Sequence, residues 1–143
     1  MGATRDALRP ELFDKEITGF SIDSRTAGEG ELFFALSQPD YERAGFNGTF
    51  ADGHEFISPA LKRGALAAVG RRDRVNLDGR LAALSDRLLL VDYAIAALQT
   101  LARRVYERWL RPVIGITGSA GKTTAKEFTA HVLAKAGYRV LKS

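Results

Sequence analysis

The chain has 143 residues and no cysteine, a single methionine, a single tryptophan and only four prolines. Without cysteine there can be no disulfide and no thiolate-bound metal, which also agrees with a cytoplasmic location. No apolar run approaches the roughly 18 residues that a membrane-spanning helix needs. The opening Met1-Gly2-Ala3-Thr4-Arg5-Asp6 leads into no apolar segment, so nothing in it reads as an export signal. Internal repeats and low-complexity tracts are absent as well.

The composition is 45% hydrophobic and 27% charged, that of a soluble globular protein. The length allows one ordinary domain, or one small domain and part of another. A net charge of +4 raises the question of nucleic acid. Arg71, Arg72 and Arg74 fall in an irregular charged stretch, and Arg103, Arg104, Arg108 and Arg111 follow a helical pattern that also carries Glu107. Such clusters read as solvated faces, and no aromatic-interleaved RNA signature accompanies them, so no nucleic-acid partner is expected.

Hydrophobic periodicity divides the chain into alternating strands and helices. Ile17 to Ile22 alternates like a strand and breaks at Asp23-Ser24-Arg25; Glu31 to Leu36 is a second, more apolar strand. Residues 37 to 53 read as a long polar, glycine-containing loop, of a length that is often functional. Phe56, Ile57, Ala60 and Leu61 share a helical face ended by Gly64, Ala65 to Val69 reads as a buried strand, and residues 70 to 86 as irregular with a helical turn at 81 to 84. Leu88 to Val91 is a further strand. Asp92 is placed to cap a long helix whose apolar residues Ile95, Leu98, Ala102, Val105 and Trp109 recur at helical spacing until Pro112 stops it. His54 and His131 lack further ligands at metal spacing and read as helix-end or surface residues. Trp109, Phe33 and Phe34 read as core.

The most informative stretch is Val113-Ile-Gly-Ile-Thr-Gly-Ser-Ala-Gly-Lys-Thr-Thr124, a strand pattern entering a glycine-rich turn at the start of a helix. This order makes a cradle for the phosphates of ATP. Glycines let backbone N–H groups converge, the helix start adds its positive end, and a lysine neutralises β/γ charge. Gly118, Ser119, Ala120 and Gly121 would offer backbone N–H groups, Lys122 its charge, Thr123 an oxygen to Mg²⁺, and Thr124 support for the loop. The spacing of Gly, four residues, Gly-Lys-Ser/Thr is missed by one, since residue 116 is Ile116 and the nearest glycines are Gly115 and Gly118. A helix over 122 to 136, capped by Gly137, and a strand start at Tyr138 to Leu141 complete a β-α-β beginning.

The shorter form, Thr117-Gly118-Ser119-Ala120-Gly121-Lys122-Thr123, resembles the ATP loop of the Mur ligases and their folylpolyglutamate synthase relatives. Ser21-Ile22-Asp23-Ser24-Arg25, Gly30-Glu31-Leu32-Phe33-Phe34-Ala35-Leu36, Asp52-Gly53-His54-Glu55-Phe56-Ile57 and Gly64-Ala65 resemble, in the same order, the amino-terminal uridine-binding domain of Mur ligases that add the third residue or the terminal dipeptide. Ser119 and Lys126-Glu127 are most similar to the dipeptide-adding members. The stretch 38 to 52 is longer than the family's usual link at this point. The resemblance implies that Ile22, Ser24 and Arg25 contact the uridine diphosphate part of the substrate. It also implies ATP-dependent amide-bond formation through an acyl phosphate, with UDP-N-acetylmuramoyl-tripeptide and D-alanyl-D-alanine as substrates.

The expected fold is α/β: a small mixed α/β substrate-binding domain over residues 1–91, a connecting helix over 92–111, and over 112–143 the truncated start of a phosphate-loop, parallel-sheet ATP-binding domain. On this reading the chain is a fragment with no catalytic residue of its own beyond the assistance of Lys122, inactive alone. Two other readings stay open, a third-residue-adding or folylpolyglutamate-type ligase and a non-catalytic UDP-sugar-binding module.

Overall fold

The computed structural model describes residues 8–142, which separate into two units, one ending at Arg108 and the other beginning at Trp109. The first unit is built on a four-stranded sheet, β1 (Gly19–Ser21), β2 (Glu31–Phe34), β3 (Ala67–Arg71) and β4 (Leu88–Val91). All neighbours are parallel and lie in sequence order, with Phe20 opposite Leu32, Phe33 opposite Ala68 and Val69 opposite Leu89. Parallel strands need crossovers, and a sheet with crossovers on both sides must be apolar on both faces. β2 meets that demand through the strand's two-residue period. Phe33 and Ala35 enter one core with Ile57, Ala60, Ala68 and Leu88, while Leu32, Phe34 and Leu36 enter the other with Val69, Ala94 and Ile95.

The first core is covered by α2 (Ile57–Lys62), α3 (Arg72–Leu77) and α4 (Gly79–Ala82), which contribute Ile57, Ala60, Leu61, Val75 and Leu81. The second is covered by the start of α5 (Ala94–Trp109) and by Tyr41 of α1 (Gln38–Arg43). Phe33 and Phe34 are core, as the sequence suggests, but Trp109 is half exposed at the end of α5.

Four further expectations are corrected. Residues 37–53 are not all loop, because Ser37 and Asp40 form a reciprocal capping box that starts α1 with Pro39 in its first turn. Residues 70–86 are largely helical, in α3 and α4, the second capped where Asp78 accepts the Arg80 N–H. The strand placed at 65 to 69 runs instead from Ala67 to Arg71, its approach held by the Leu66 N–H on the Glu31 carbonyl at 2.7 Å. Asp92 is also not what receives the first turn of α5: the Ile95 N–H goes to Asp40.

In the second unit, α6 (Lys122–Lys135) follows the glycine turn as expected, and Gly137, with φ of +87°, closes it as the Gly137 and Tyr138 N–H groups bond back to Ala134 and Leu133. The strands expected at 113–117 and 138–141 are not formed among the described residues. A strand exists only through a ladder partner, and neither segment has one here. Val113 and Ile114 are accordingly exposed, as are Phe128 and Val132 on the apolar stripe of α6.

Candidate functional site

The glycine turn of the second unit leads directly into α6. Gly118 and Gly121 have φ of +155° and +75°. Gly121 is the N-cap of α6, in the left-handed region, and brings no side-chain cap. The N–H groups of Lys122, Thr123 and Thr124 therefore begin a helix with no intrahelical acceptor, at the positive end of its dipole. The Lys122 ammonium arches back to donate to the Gly118 carbonyl, closing the loop into a ring. Gly118, Ser119, Ala120, Gly121, Lys122, Thr123 and Thr124 are thus gathered at one helix start. No group of three or more acidic or histidine side chains among the described residues is arranged to hold a metal. A magnesium ion at this turn would have the Thr123 hydroxyl as a protein oxygen and would take its remaining ligands from phosphate and water.

The residues that the sequence links to uridine lie at the carboxyl end of β1. Ile22 is exposed, and Asp23 organises the turn behind it. The Asp23 carboxylate accepts the Arg25 N–H at 2.9 Å and grips the Arg25 guanidinium through Nε and Nη2, at 2.9 and 2.7 Å. Its carbonyl accepts from Thr26 and Ala27. The Arg25 side-chain bonds first, and its backbone N–H next, pull the Asp23 carboxyl down to about 2. Ile22, Ser24 and Arg25 are therefore close together, with two of the Arg25 nitrogens already engaged.

A third cluster was not legible as one from the sequence. His54, expected at a helix end or on the surface, ends up buried in the short 3₁₀ turn Gly53–Phe56. Its Nδ1 lies 2.6 Å from Asp52 Oδ1, and its Nε2 accepts the Arg71 N–H at 2.8 Å. An acceptor at Nε2 requires a neutral ring with its proton on Nδ1. Both ring nitrogens are occupied, so His54 fastens the loop to the end of β3 and is not a base or a metal ligand. Asp52 also caps the turn through the His54 N–H and pairs with Arg74 through its other oxygen. Burial pushes the Asp52 carboxyl up, but the His54 N–H, the His54 ring and the Arg74 charge together bring it below the usual range. Arg71, expected on a solvated face, has a side chain only 12% exposed and paired with Asp73. The one sequence signal for this cluster was the two-residue spacing of Asp52 and His54 around a glycine.

These features define an α/β protein with a glycine turn that opens a helix in one unit and a parallel-sheet unit whose polar groups gather at the strands' carboxyl ends. No protein-family model matches the chain. Individual relatives do. It is 36% identical over 125 residues to a UDP-N-acetylmuramoyl-L-alanyl-D-glutamate–2,6-diaminopimelate ligase of Mesorhizobium japonicum, covering 87% of this chain and 23% of that one. It is 37% identical over 124 residues to a UDP-N-acetylmuramoyl-tripeptide–D-alanyl-D-alanine ligase of Synechocystis, with 87% and 24% covered. Among solved structures, MurF ligase from Thermotoga maritima in complex with ADP matches with a TM-score of 0.58 and 33% identity, over 90% of this chain and 25% of that one. MurF from Acinetobacter baumannii gives 0.59 and 28%, over 83% and 22%. The chain belongs to the Mur ligase family, and it spans about a quarter of the length of the curated relatives it matches.

Proposed function

We propose that this chain carries the uridine-nucleotide site and the ATP-phosphate loop of an ATP-dependent amide-bond-forming ligase of peptidoglycan precursor synthesis. Residues 1–91 are assigned to the UDP-sugar-binding domain, 92–111 to a connecting helix and 112–143 to the opening of the ATP-binding domain. The observation that carries the reading is the glycine turn, Lys122 and Thr123 at the start of α6, in a chain that matches a MurF ligase solved with ADP. The reaction assigned to the whole protein is the addition of D-alanyl-D-alanine to UDP-N-acetylmuramoyl-tripeptide.

In that reaction the substrate carboxylate attacks the γ-phosphorus of ATP and ADP leaves. The dipeptide amine then attacks the acyl phosphate, loses a proton and expels phosphate. The present residues supply positioning and charge. N–H groups of the turn and Lys122 hold the phosphates, which stabilises negative charge as it shifts toward the leaving ADP. Thr123 would offer Mg²⁺ one oxygen, and the ion, when bound, neutralises phosphate charge.

Ser119 and the Lys126-Glu127 pair favour the dipeptide-adding branch. The Mesorhizobium relative's name supports a second reading, addition of diaminopimelate as the third residue. Phosphate release by the whole protein separates the two. Release with UDP-N-acetylmuramoyl-tripeptide that depends on D-alanyl-D-alanine supports the first; release with the dipeptide precursor that depends on diaminopimelate supports the second and rejects the first.

A further inference from the structure

The chain that returns from α1 is pinned on one side and open on the other. Gly45 and Gly48, with φ of +80° and +143°, bend it, and Asn47, Gly48 and Thr49 are exposed at its tip. Gln38 grips the return: Nε2 donates to the Gly48 carbonyl at 2.9 Å, and Oε1 accepts the Phe50 N–H at 3.0 Å. Gly48 is thus held by its carbonyl. Among the described residues, neither its N–H nor the Asn47 side-chain amide has a hydrogen-bond partner. These two groups are the reactants of a five-membered ring closure. Glycine after asparagine sets no side chain in the way of it.

The other places where the sequence allows this ring closure are committed. Asn76 lies inside α3, where the N–H that follows belongs to the helix ladder and the next side chain is Leu77. At Asp52-Gly53 the Gly53 N–H donates to the Leu36 carbonyl at 2.7 Å, and the carboxylate serves His54 and Arg74. At Asp78-Gly79 one carboxylate oxygen accepts the Arg80 N–H and the other accepts Arg80 Nη2, both at 2.9 Å. Asn47 differs from all three in being exposed and unengaged on both sides of the new bond.

We propose that Asn47-Gly48 is a site of self-modification, at which the folded chain converts an asparagine into aspartate and isoaspartate. The Gly48 nitrogen, losing its proton, attacks Cγ of Asn47. The Cγ–N bond of the side-chain amide breaks, and ammonia leaves with that proton, so a succinimide remains. Water then opens the ring at either carbonyl, giving aspartate or isoaspartate. The sum is amide plus water to carboxylate plus ammonium, with no change of oxidation state. The product adds a negative charge to the tip. Its isoaspartyl form also adds one carbon to the backbone just before Gly48, which moves the Gly48 carbonyl off Gln38. Phe50, held by the same Gln38, stacks on Tyr41 at 3.9 Å and lines a cavity of about 300 Å³ with Ser37 and Asp52. The modification therefore acts on a wall of that cavity.

The test is incubation of the purified 143-residue chain in mildly alkaline buffer, folded and in urea, followed by peptide mass spectrometry and enzymatic methylation of isoaspartate. The Asn47 peptide should gain the mass of an amide turned to an acid, and isoaspartate should appear in it. Because an exposed loop tip has almost no opening cost, the folded chain should convert within about tenfold of the unfolded rate. In the folded chain Asn76 should react at least about tenfold more slowly than Asn47, since its nucleophile must first leave a helix bond. Asn47→Gln, whose ring would be larger, should carry no isoaspartate at this position, and Gly48→Ala should slow the reaction. The converted chain, separated by ion exchange, should show shifted Gln38 side-chain and Phe50 backbone amide resonances. An Asn47 that stays intact when folded but converts in urea overturns the proposal, as does equal conversion of Asn76 and Asn47 in the folded chain. Unshifted Gln38 and Phe50 resonances in the isoaspartyl form overturn the effect on the cavity wall.

Discussion

Asp40 and Ile95, 55 residues apart, are joined by a buried hydrogen bond in which Oδ1 of Asp40 accepts the Ile95 N–H at 3.2 Å. The other carboxylate oxygen accepts the Ser37 N–H and hydroxyl at 3.0 and 2.7 Å. One side chain with no solvent exposure thus starts two helices, its own α1 and the distant α5. Asp40→Ala should orphan donors at both helix starts and lower the unfolding free energy by about 2–4 kcal/mol. Urea denaturation of the purified chain measures this. A loss under about 0.5 kcal/mol would mean that the bond does not hold the helices.

Among the described glycines, Gly53 has the closest approach to neighbouring backbone. A Cβ there would lie 2.6 Å from the Leu36 carbonyl oxygen and 2.7 Å from its nitrogen, with no flexible side chain to yield. Gly53→Ala should therefore cost about 1–3 kcal/mol through backbone displacement. Ala substitution at Gly79, where a Cβ meets nothing within 4 Å, should be neutral or better in a thermal melt.

The Asp52 carboxylate gives the fold a signed pH dependence. Its native pKa is depressed below the ordinary 3.8, so its contribution is fully present above that value and is lost as pH falls through the lower native one. Unfolding free energies measured from pH 6 downward should fall below pH 4, and less steeply in Asp52→Asn. Identical slopes for the two proteins would remove Asp52 from the account.

The sheet was largely legible in the sequence because its information is local. Glu31 to Phe34 and Leu88 to Val91 are short apolar runs, and each is a strand. The start of α6 was legible for the same reason, from Gly121-Lys122. α1 was missed although Ser37 and Asp40 stand at capping-box spacing, since the glycines and polar residues that follow suggest a loop and the Asp40 bond to Ile95 is invisible locally. The cluster of His54, Asp52, Arg71 and Arg74 was missed because it joins a loop to a strand end 17 or more residues away. Residues 113–117 and 138–141 have strand patterns, but a pattern cannot supply the neighbouring strand on which a ladder depends.

Lys122→Ala should reduce ADP affinity about ten- to hundredfold, the value of a charge-assisted contact to phosphate. The side chain is exposed and bonds only to the Gly118 carbonyl, so the thermal midpoint should not move. Calorimetry and a thermal melt on the same samples check both statements. ADP binding within twofold of the unaltered chain would mean that the loop does not bind phosphate through this lysine.

The central claim, that one chain carries a uridine-nucleotide site and an ATP-phosphate site, is tested most directly by mapping backbone amide shifts of the 143-residue chain during separate UDP and Mg²⁺–ADP titrations. UDP should move residues 22–25 and leave 118–124 in place, with Ser24→Ala and Arg25→Ala weakening its binding. Mg²⁺–ADP should move 118–124 and leave 22–25 unchanged. Both nucleotides moving the same residues, or UDP moving none, would contradict the account.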